Sequence, residues 1–231
     1  MSENELDQII DGMLLGDGFV QKDGRFGFNH SEKQQAYFDY KVAKMAAGVN
    51  KIWIGKSKPH SSIIEDRIIK PTVLLQFRTT KQDKWKHLRK HWYPDDTKVV
   101  PTSLVLSPIS LAYWYMDDGS ANLRSKYITH GNTYVGEPFI QQFRFYTDGF
   151  DVDSLERLLN QLKMLGIDGW LKERPRKNQN YIIVSRLESR QRMKELILPV
   201  IEQIPSMLYK IDHPLSFCGE RLNEEAPTEV G

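Results

Sequence analysis

Cysteine is almost absent from this chain. The lone Cys218 cannot close an internal disulfide, and no cysteine–histidine spacing fits a zinc site, so a disulfide scaffold and a structural zinc module are both excluded. A reducing compartment and a passive thiol are expected. Long apolar runs are also missing, and none approaches the ~20 residues of a membrane-spanning helix. The opening stretch, Met1 to Asp7, is acidic and carries no apolar segment, which reads as neither a secretory signal nor a transit peptide. A strong charge of one sign is lacking too: the formal net charge is +2, a weak argument for any polyanionic partner. What remains is a hydrophobic content of 40% over 231 residues. That suffices for a substantial core, as one domain or as two fused half-size units.

Charge distribution says more than the total. Residues 220–231 hold Glu220, Glu224, Glu225 and Glu229 against Arg221, and read as a disordered acidic tail. Without them the chain has 31 basic and 26 acidic residues, net +5. Two stretches are strongly basic. One carries Arg78, Lys81, Lys84, Lys86, Arg89 and Lys90; the other carries Lys172, Arg174, Arg176, Lys177, Arg186, Arg190, Arg192 and Lys194. Each could be a solvated helix face, but their matched places in the two halves favour a shared role.

Two apolar segments end in Asp-Gly: Ile9 to Gly18, and Ser110 to Gly119, with Asp17 and Asp118 lying 101 residues apart. Asp-Gly is a common turn dipeptide, and Asp23-Gly24 and Asp148-Gly149 also occur here. Only Asp17 and Asp118 close helical apolar runs. A carboxylate at a helix C-terminus faces the negative end of the macrodipole, at a penalty of roughly 0.3–1 kcal/mol. Two such residues at corresponding places call for a compensating cation, although ordinary capping accounts for either one alone.

The two segments resemble the nine-residue motif that names the LAGLIDADG homing endonucleases. Leu111-Ala112-Tyr113-Trp114-Tyr115-Met116-Asp117-Asp118-Gly119 fits its Leu-Ala start and Asp-Gly end; Ile10-Asp11-Gly12-Met13-Leu14-Leu15-Gly16-Asp17-Gly18 fits the third-position Gly and the same end. Lys98-Val99-Val100-Pro101 and Ile204-Pro205-Ser206-Met207-Leu208-Tyr209-Lys210 are similar to patches of the monomeric, intron-encoded members. Departures are informative. Asp11 stands where Ala is frequent, Leu15 where Asp is, and Tyr113 where a small Gly is usual. Gly12 and Gly16 lie near one helix face, so the first motif helix offers a flat side and the second a bulky one. That asymmetry suits a single chain.

The order of elements reads as an α+β unit of αββαββα type, duplicated. The first half has helices at 4–16, 33–47 and 81–92, and strands within 18–31 and near 50–56, 62–69 and 72–79. Residues 94–106 form a crossing segment. The second half has helices at 108–117, 153–165 (capped by Asp151 or Asp153) and 188–197, with strands near 120–130, 138–147, 168–174 and 180–185. A short helical piece follows at 200–209. The half-domains are expected at 1–100 and 104–219. The resemblance implies two antiparallel sheets forming a DNA-binding saddle, with the motif helices at its centre.

Period-two alternation puts Phe26 and Phe28 on one face of a strand, with Arg25 and Asn29 on the other. It does the same for Phe143 and Phe145 against Gln142 and Arg144, and it pairs Gln76 with Arg78. Arg, Asn and Gln are the side chains that read base edges in a major groove; a plain solvent-facing side would look similar. With the resemblance, the expected DNA contacts are Arg25, Asn29, Gln76, Arg78, Gln142 and Arg144 from strands, with Lys81, Lys84, Lys86, Lys172, Arg174 and Arg186 from the basic stretches.

The resemblance also implies a divalent-metal site. Asp17 and Asp118 would be the ligands, Asp118 being preferred to Asp117 because it precedes the Gly, with the backbone carbonyls of Gly16 and Asp117 as further donors. Mg²⁺, with Mn²⁺ able to substitute, is the implied cofactor. Lys98 and Lys210 match positions beside the active site, where they would stabilise charge or hold water; a phosphate contact is the other reading. No histidine is singled out as a general base. The implied function is site-specific cleavage of double-stranded DNA at a long non-palindromic site by a monomer acting inside a cell. An RNA-binding intron maturase and a catalytically silent DNA-binding regulator are the alternatives.

Overall fold

The computed structural model of the protein describes residues 3–59, 63–64, 67–68, 72–124, 138–174 and 179–215. Cys218, the acidic tail, the expected strand end at 125–130 and the Arg174 side chain lie outside the described residues.

The chain builds the same unit twice. The first opens with α1 (Glu3–Leu15), then β1 (Phe19–Val20) and β2 (Phe26–Ser31), joined by a hairpin whose Gly24 takes a φ of 82° that glycine alone adopts without strain. Helix α2 (Gln35–Ala46), β3 (Ile52–Lys56), β4 (Ile63–Ile64), β5 (Arg67–Ile68), β6 (Leu74–Thr79) and α3 (Asp83–Trp92) complete it. The second has α4 (Pro108–Asp118), β7 (Gly119–Arg124), β8 (Phe139–Tyr146), α5 (Val152–Met164), β9 (Trp170–Arg174), β10 (Gln179–Val184) and α6 (Leu187–Ile201). A 3₁₀ turn at Pro205–Lys210 follows.

Each half folds a four-stranded antiparallel sheet, in the orders β1-β2-β6-β3 and β7-β8-β10-β9. In place of the single strand expected over 62–69, β4 and β5 form a separate two-stranded antiparallel sheet. Helix α6 continues beyond the expected 197 to Ile201 with Pro199 inside it, because the buried Ile197 and Ile201 keep one apolar stripe going through the last turns. The cap of α5 is Asp151, whose carboxylate accepts from Ser154 N at 2.8 Å.

The expected faces are present. Phe26, Phe28, Leu75 and Phe77, like Phe143 and Phe145, are buried against the helices, while Asn29, Gln76, Gln142 and Arg144 sit half-buried on the opposite face. The motif helices pack directly together. A Cβ on Gly12 would lie 2.7 Å from Tyr113 Cβ, and one on Gly16 would lie 2.3 Å from Asp117 Cβ, so α1 supplies the flat side and α4 the bulky one. No helix among the described residues is long and apolar enough to cross a membrane.

Candidate metal centre between the motif helices

Each motif helix ends on a lysine from elsewhere in the chain. Lys98, in the crossing segment, donates to the carbonyls of Gly16 and Gly18 at 3.0 Å each. Lys210, in the 3₁₀ turn, donates to the carbonyls of Tyr115, Met116 and Gly119 at 3.3, 2.6 and 2.8 Å. These ammonium groups neutralise the C-terminal dipole ends and satisfy carbonyls left open there. Burial pulls the Lys98 ammonium down to about 8 and lowers Lys210 as well.

Asp17 follows the end of α1, and Asp118 is the last residue of α4. The Asp17 side chain is 43% exposed. Asp118 opens into a cleft of about 220 Å³ shared with Gly16, Lys98, Thr147, Asp148 and Phe150. Burial, then the neighbouring Asp117 charge, raises Asp17 to about 6. Burial and the charges of Asp17 and Asp117 raise Asp118 to about 7. Two carboxylates that resist ionising beside each other fit a divalent cation, which would relieve both. The Gly16 carbonyl already accepts from Lys98 and keeps one lone pair for a further partner.

Asp117 has a different place. Its side chain is wholly buried and turned from α4 into the first half, where Lys41 Nζ lies 2.9 Å from both carboxylate oxygens. Tyr37 Oη donates to Oδ1 at 2.7 Å, and Asp17 N donates to Oδ2 at 3.2 Å. Burial opposes ionisation, but the Lys41 charge and the hydrogen bonds from Lys41 and Tyr37 hold the Asp117 carboxyl below its ordinary range. His30, also buried, stands 3.0 Å from Lys41 Nζ through Nε2 and 3.5 Å from Asp17 Oδ2 through Nδ1. Burial, then the Lys41 charge, holds His30 down to about 4, so it is neutral at pH 7.

Asp17, His30 and Asp117 bring ligand atoms within 4.8 Å of one another. At Asp117 and at the Nε2 edge of His30, the Lys41 ammonium already stands as the cation. Asp17 and Asp118, both raised by burial and by neighbouring carboxylates, are the expected pair that could hold a cation. The sequence reading missed Lys41, Tyr37 and the inward role of the Asp117 side chain. A signal existed: Tyr37, Lys41 and Met45 recur at spacing four along the buried side of α2, and a lysine within an apolar stripe needs an acid.

The polar sheet faces hold the other expected residues. Arg78 Nη1 donates to Asn29 Oδ1 at 2.9 Å, and its guanidinium stacks 4.6 Å from the Phe19 ring centre. With its amide oxygen turned toward the guanidinium, Gln142 accepts from Arg144 Nε at 2.6 Å. Each half thus presents an arginine pre-oriented by an amide. Gln76 lies opposite Asn29 in the register. Arg25 and Lys81 both approach Asp23 at 3.4 Å, and Lys86 bonds Asp83 at 3.0 Å. Lys172 lies opposite Tyr181 on the polar face, and Arg186 pairs with Asp168 at 2.8 Å. Lys84 is set apart from these. It lies over the Trp85 ring and lines a hollow with Asp7, Ile10 and Asp11 beside α1.

Comparison with known proteins agrees with this architecture. The solved structure of the homing endonuclease I-WcaI bound to its DNA recognition sequence is similar in fold, with a TM-score of 0.67 at 22% identity, covering 92% of this chain and 88% of that one. An uncharacterized protein of Methanocaldococcus jannaschii is 28% identical over 64% of this chain and 58% of its own length. The cytochrome b mRNA maturase bI2 of Saccharomyces cerevisiae is 26% identical over 90% of this chain and 47% of its own length. The chain therefore spans about half the length of these curated relatives. The model of the LAGLIDADG DNA endonuclease family matches residues 7–193, and with both motif helices, both sheets and both helix-end aspartates in place, the chain belongs to that family.

Proposed function

We propose that this protein is a site-specific double-strand DNA endonuclease that uses a divalent metal, with Mg²⁺ as the physiological ion and Mn²⁺ able to substitute. The observation that carries this reading is the convergence of two helix C-termini, each delivering one aspartate, Asp17 or Asp118, and each locked by one lysine. Asp17 and Asp118 would hold the metal, with the Gly16 and Asp117 carbonyls as further donors. A bound Mg²⁺ supplies water activation and stabilises the leaving oxygen. Lys98 and Lys210 fix the backbone at both helix ends and keep positive charge where phosphoryl oxygens would gather. Asp117 holds the Asp17 backbone through Oδ2 and takes no part as a side-chain ligand. Arg78 and Arg144, steadied by Asn29 and Gln142, would read base edges, with Arg25, Gln76 and Lys172 beside them. Lys81, Lys86 and Arg186 would meet phosphate.

The two halves differ in their interface and in their strand residues, which supports a monomer on a long, non-palindromic duplex. The resemblance to a protein named as a maturase favours RNA binding as the second reading. Incubation with a randomised duplex library and Mg²⁺ tests the first. Recovery of one cleaved, asymmetric sequence is the expected result, and selective retention of structured RNA without any duplex cleavage would shift the assignment to the second.

A further inference from the structure

The two sheets can be compared row by row across their strands. In the first, one row runs Phe19, Gly27, Arg78, Trp53 through β1, β2, β6 and β3. In the second, the corresponding row runs Ser120, Arg144, Ile183, Trp170 through β7, β8, β10 and β9. Residues opposite one another in antiparallel strands share a face, so both rows lie on the polar face that carries Arg78 and Arg144. The first three places differ between the halves. The fourth is tryptophan in both, on the strand farthest in sheet order from the motif helix.

These indoles are outside the core. Trp53 is 52% exposed and Trp170 is 46% exposed, unlike the buried Trp85, Trp92 and Trp114. Each lies along its sheet. A Cβ on Gly55 would fall 2.4 Å from the Trp53 ring, so the ring covers the glycine two residues on, on the same face. The Trp170 Nε1 atom donates to Ser185 Oγ at 3.4 Å. Trp53 also walls a hollow of about 500 Å³ that it shares with Gln21, Arg25, Arg78 and Lys81. A flat apolar plate among the cations of the polar sheet face calls for an apolar group on an otherwise polar, anionic partner. In a major groove that group is the thymine 5-methyl.

We infer that Trp53 and Trp170 are a matched pair of specificity-determining residues, each packing its indole against a thymine methyl in the outer part of one half-site. This deepens the DNA endonuclease reading and rests on it. The test uses the full chain without divalent metal and the duplex it selects from a randomised library. Each thymine is replaced in turn by deoxyuridine, which removes only the methyl. Burying one such carbon contributes about 0.8 kcal/mol, so each contacted thymine should lose about fourfold in affinity. Trp53→Ala should abolish that sensitivity in one half-site alone, and Trp170→Ala in the other. Gly55→Val, which displaces the Trp53 ring without deleting it, should reproduce Trp53→Ala. Methyl sensitivity unchanged in the variants, or a selected duplex with no methyl-sensitive thymine in its outer parts, overturns the inference and leaves the DNA reading standing. Failure of the wild-type chain to select any duplex overturns both.

Discussion

Lys41 and Asp117 form an ion pair that solvent does not reach, with Nζ 2.9 Å from both carboxylate oxygens. Lys41 belongs to α2 of the first half and Asp117 to α4 of the second, so the pair ties the halves together directly beneath Asp17. Removing one partner leaves the other charge buried and alone. Lys41→Met or Asp117→Leu should each lower unfolding stability by about 3–5 kcal/mol. The double variant should recover most of that loss, since an apolar pair of similar volume is tolerated there. A urea-denaturation double-mutant cycle measures the coupling, and additive losses would show that the pair does not act as a unit.

Asp17→Asn and Asp118→Asn should each reduce single-turnover cleavage ~100-fold or more while duplex binding changes little, because a metal ligand is lost and the strand contacts are kept. Asp117→Asn should behave differently. It should lower stability first, as judged by thermal melting, since its side chain meets Lys41 and Tyr37. Cleavage by both Asp17 and Asp118 variants at wild-type rates would refute the ligand assignment.

Proton competition gives a third expectation. Asp118 titrates at about 7 and Asp17 at about 6, both raised first by burial. A cation must displace whatever protons they hold. Apparent metal affinity should therefore weaken as pH falls below 7. Calorimetric titration in buffers of different ionisation enthalpy should detect more than about one proton released per binding event at pH 6 and close to none at pH 8. Equal proton release at both values would contradict the assignment.

His30 supplies a separate pH signature. Its folded value of about 4 lies below the ordinary 6.5 because burial and Lys41 disfavour its charge. The unfolded chain therefore binds the extra proton between those values. The group's contribution is fully present above pH 6.5 and is lost as pH falls toward 4, on the order of 3 kcal/mol in all. The raised Asp17 and Asp118 act with the opposite sign over their own range, so the quantity to measure is the difference between wild type and His30→Gln. That difference in denaturation free energy should shrink as pH drops from 7 to 4. A constant difference would place the shift elsewhere.

Much of this arrangement could be read from the chain. The alternation of Phe with Arg, Asn and Gln fixed the strand faces, and the paired apolar runs located the motif helices. The flat-against-bulky contact followed from Gly12, Gly16 and Tyr113. The separate β4–β5 sheet did not follow, because two-residue strands carry no periodicity. The motif resemblance preferred Asp118 to Asp117 as the ligand, but local sequence could not show the separate place of the Asp117 side chain. That distinction depends on Lys41, 76 residues away, and no spacing rule links a lysine in one helix to an acid at the end of another.

The last expectation separates two kinds of cation. Arg78→Ala or Arg144→Ala should cost about 1–3 kcal/mol at particular base pairs and relax preference there. Lys81→Ala or Lys86→Ala should weaken binding to all sequences alike and flatten the salt dependence by about one unit per contact. Lys84→Ala should leave that slope unchanged, because Lys84 lies over the Trp85 ring and lines a hollow with Asp7 and Asp11 of α1. Profiling single-base target variants at two salt concentrations tells the classes apart.

The mismatch between Gly16 and Asp117 also bears on symmetry. A homodimer of first halves would bury two copies of Lys41 with no acid to meet them. A homodimer of second halves would set one Asp117 against another where only a glycine leaves room, since even a single added carbon there would sit 2.3 Å from Asp117 Cβ. With this exchange in place the two halves are not interchangeable. Making the two halves identical would therefore require change on both sides of the seam at once, at Gly16 and at Asp117 with its partner Lys41.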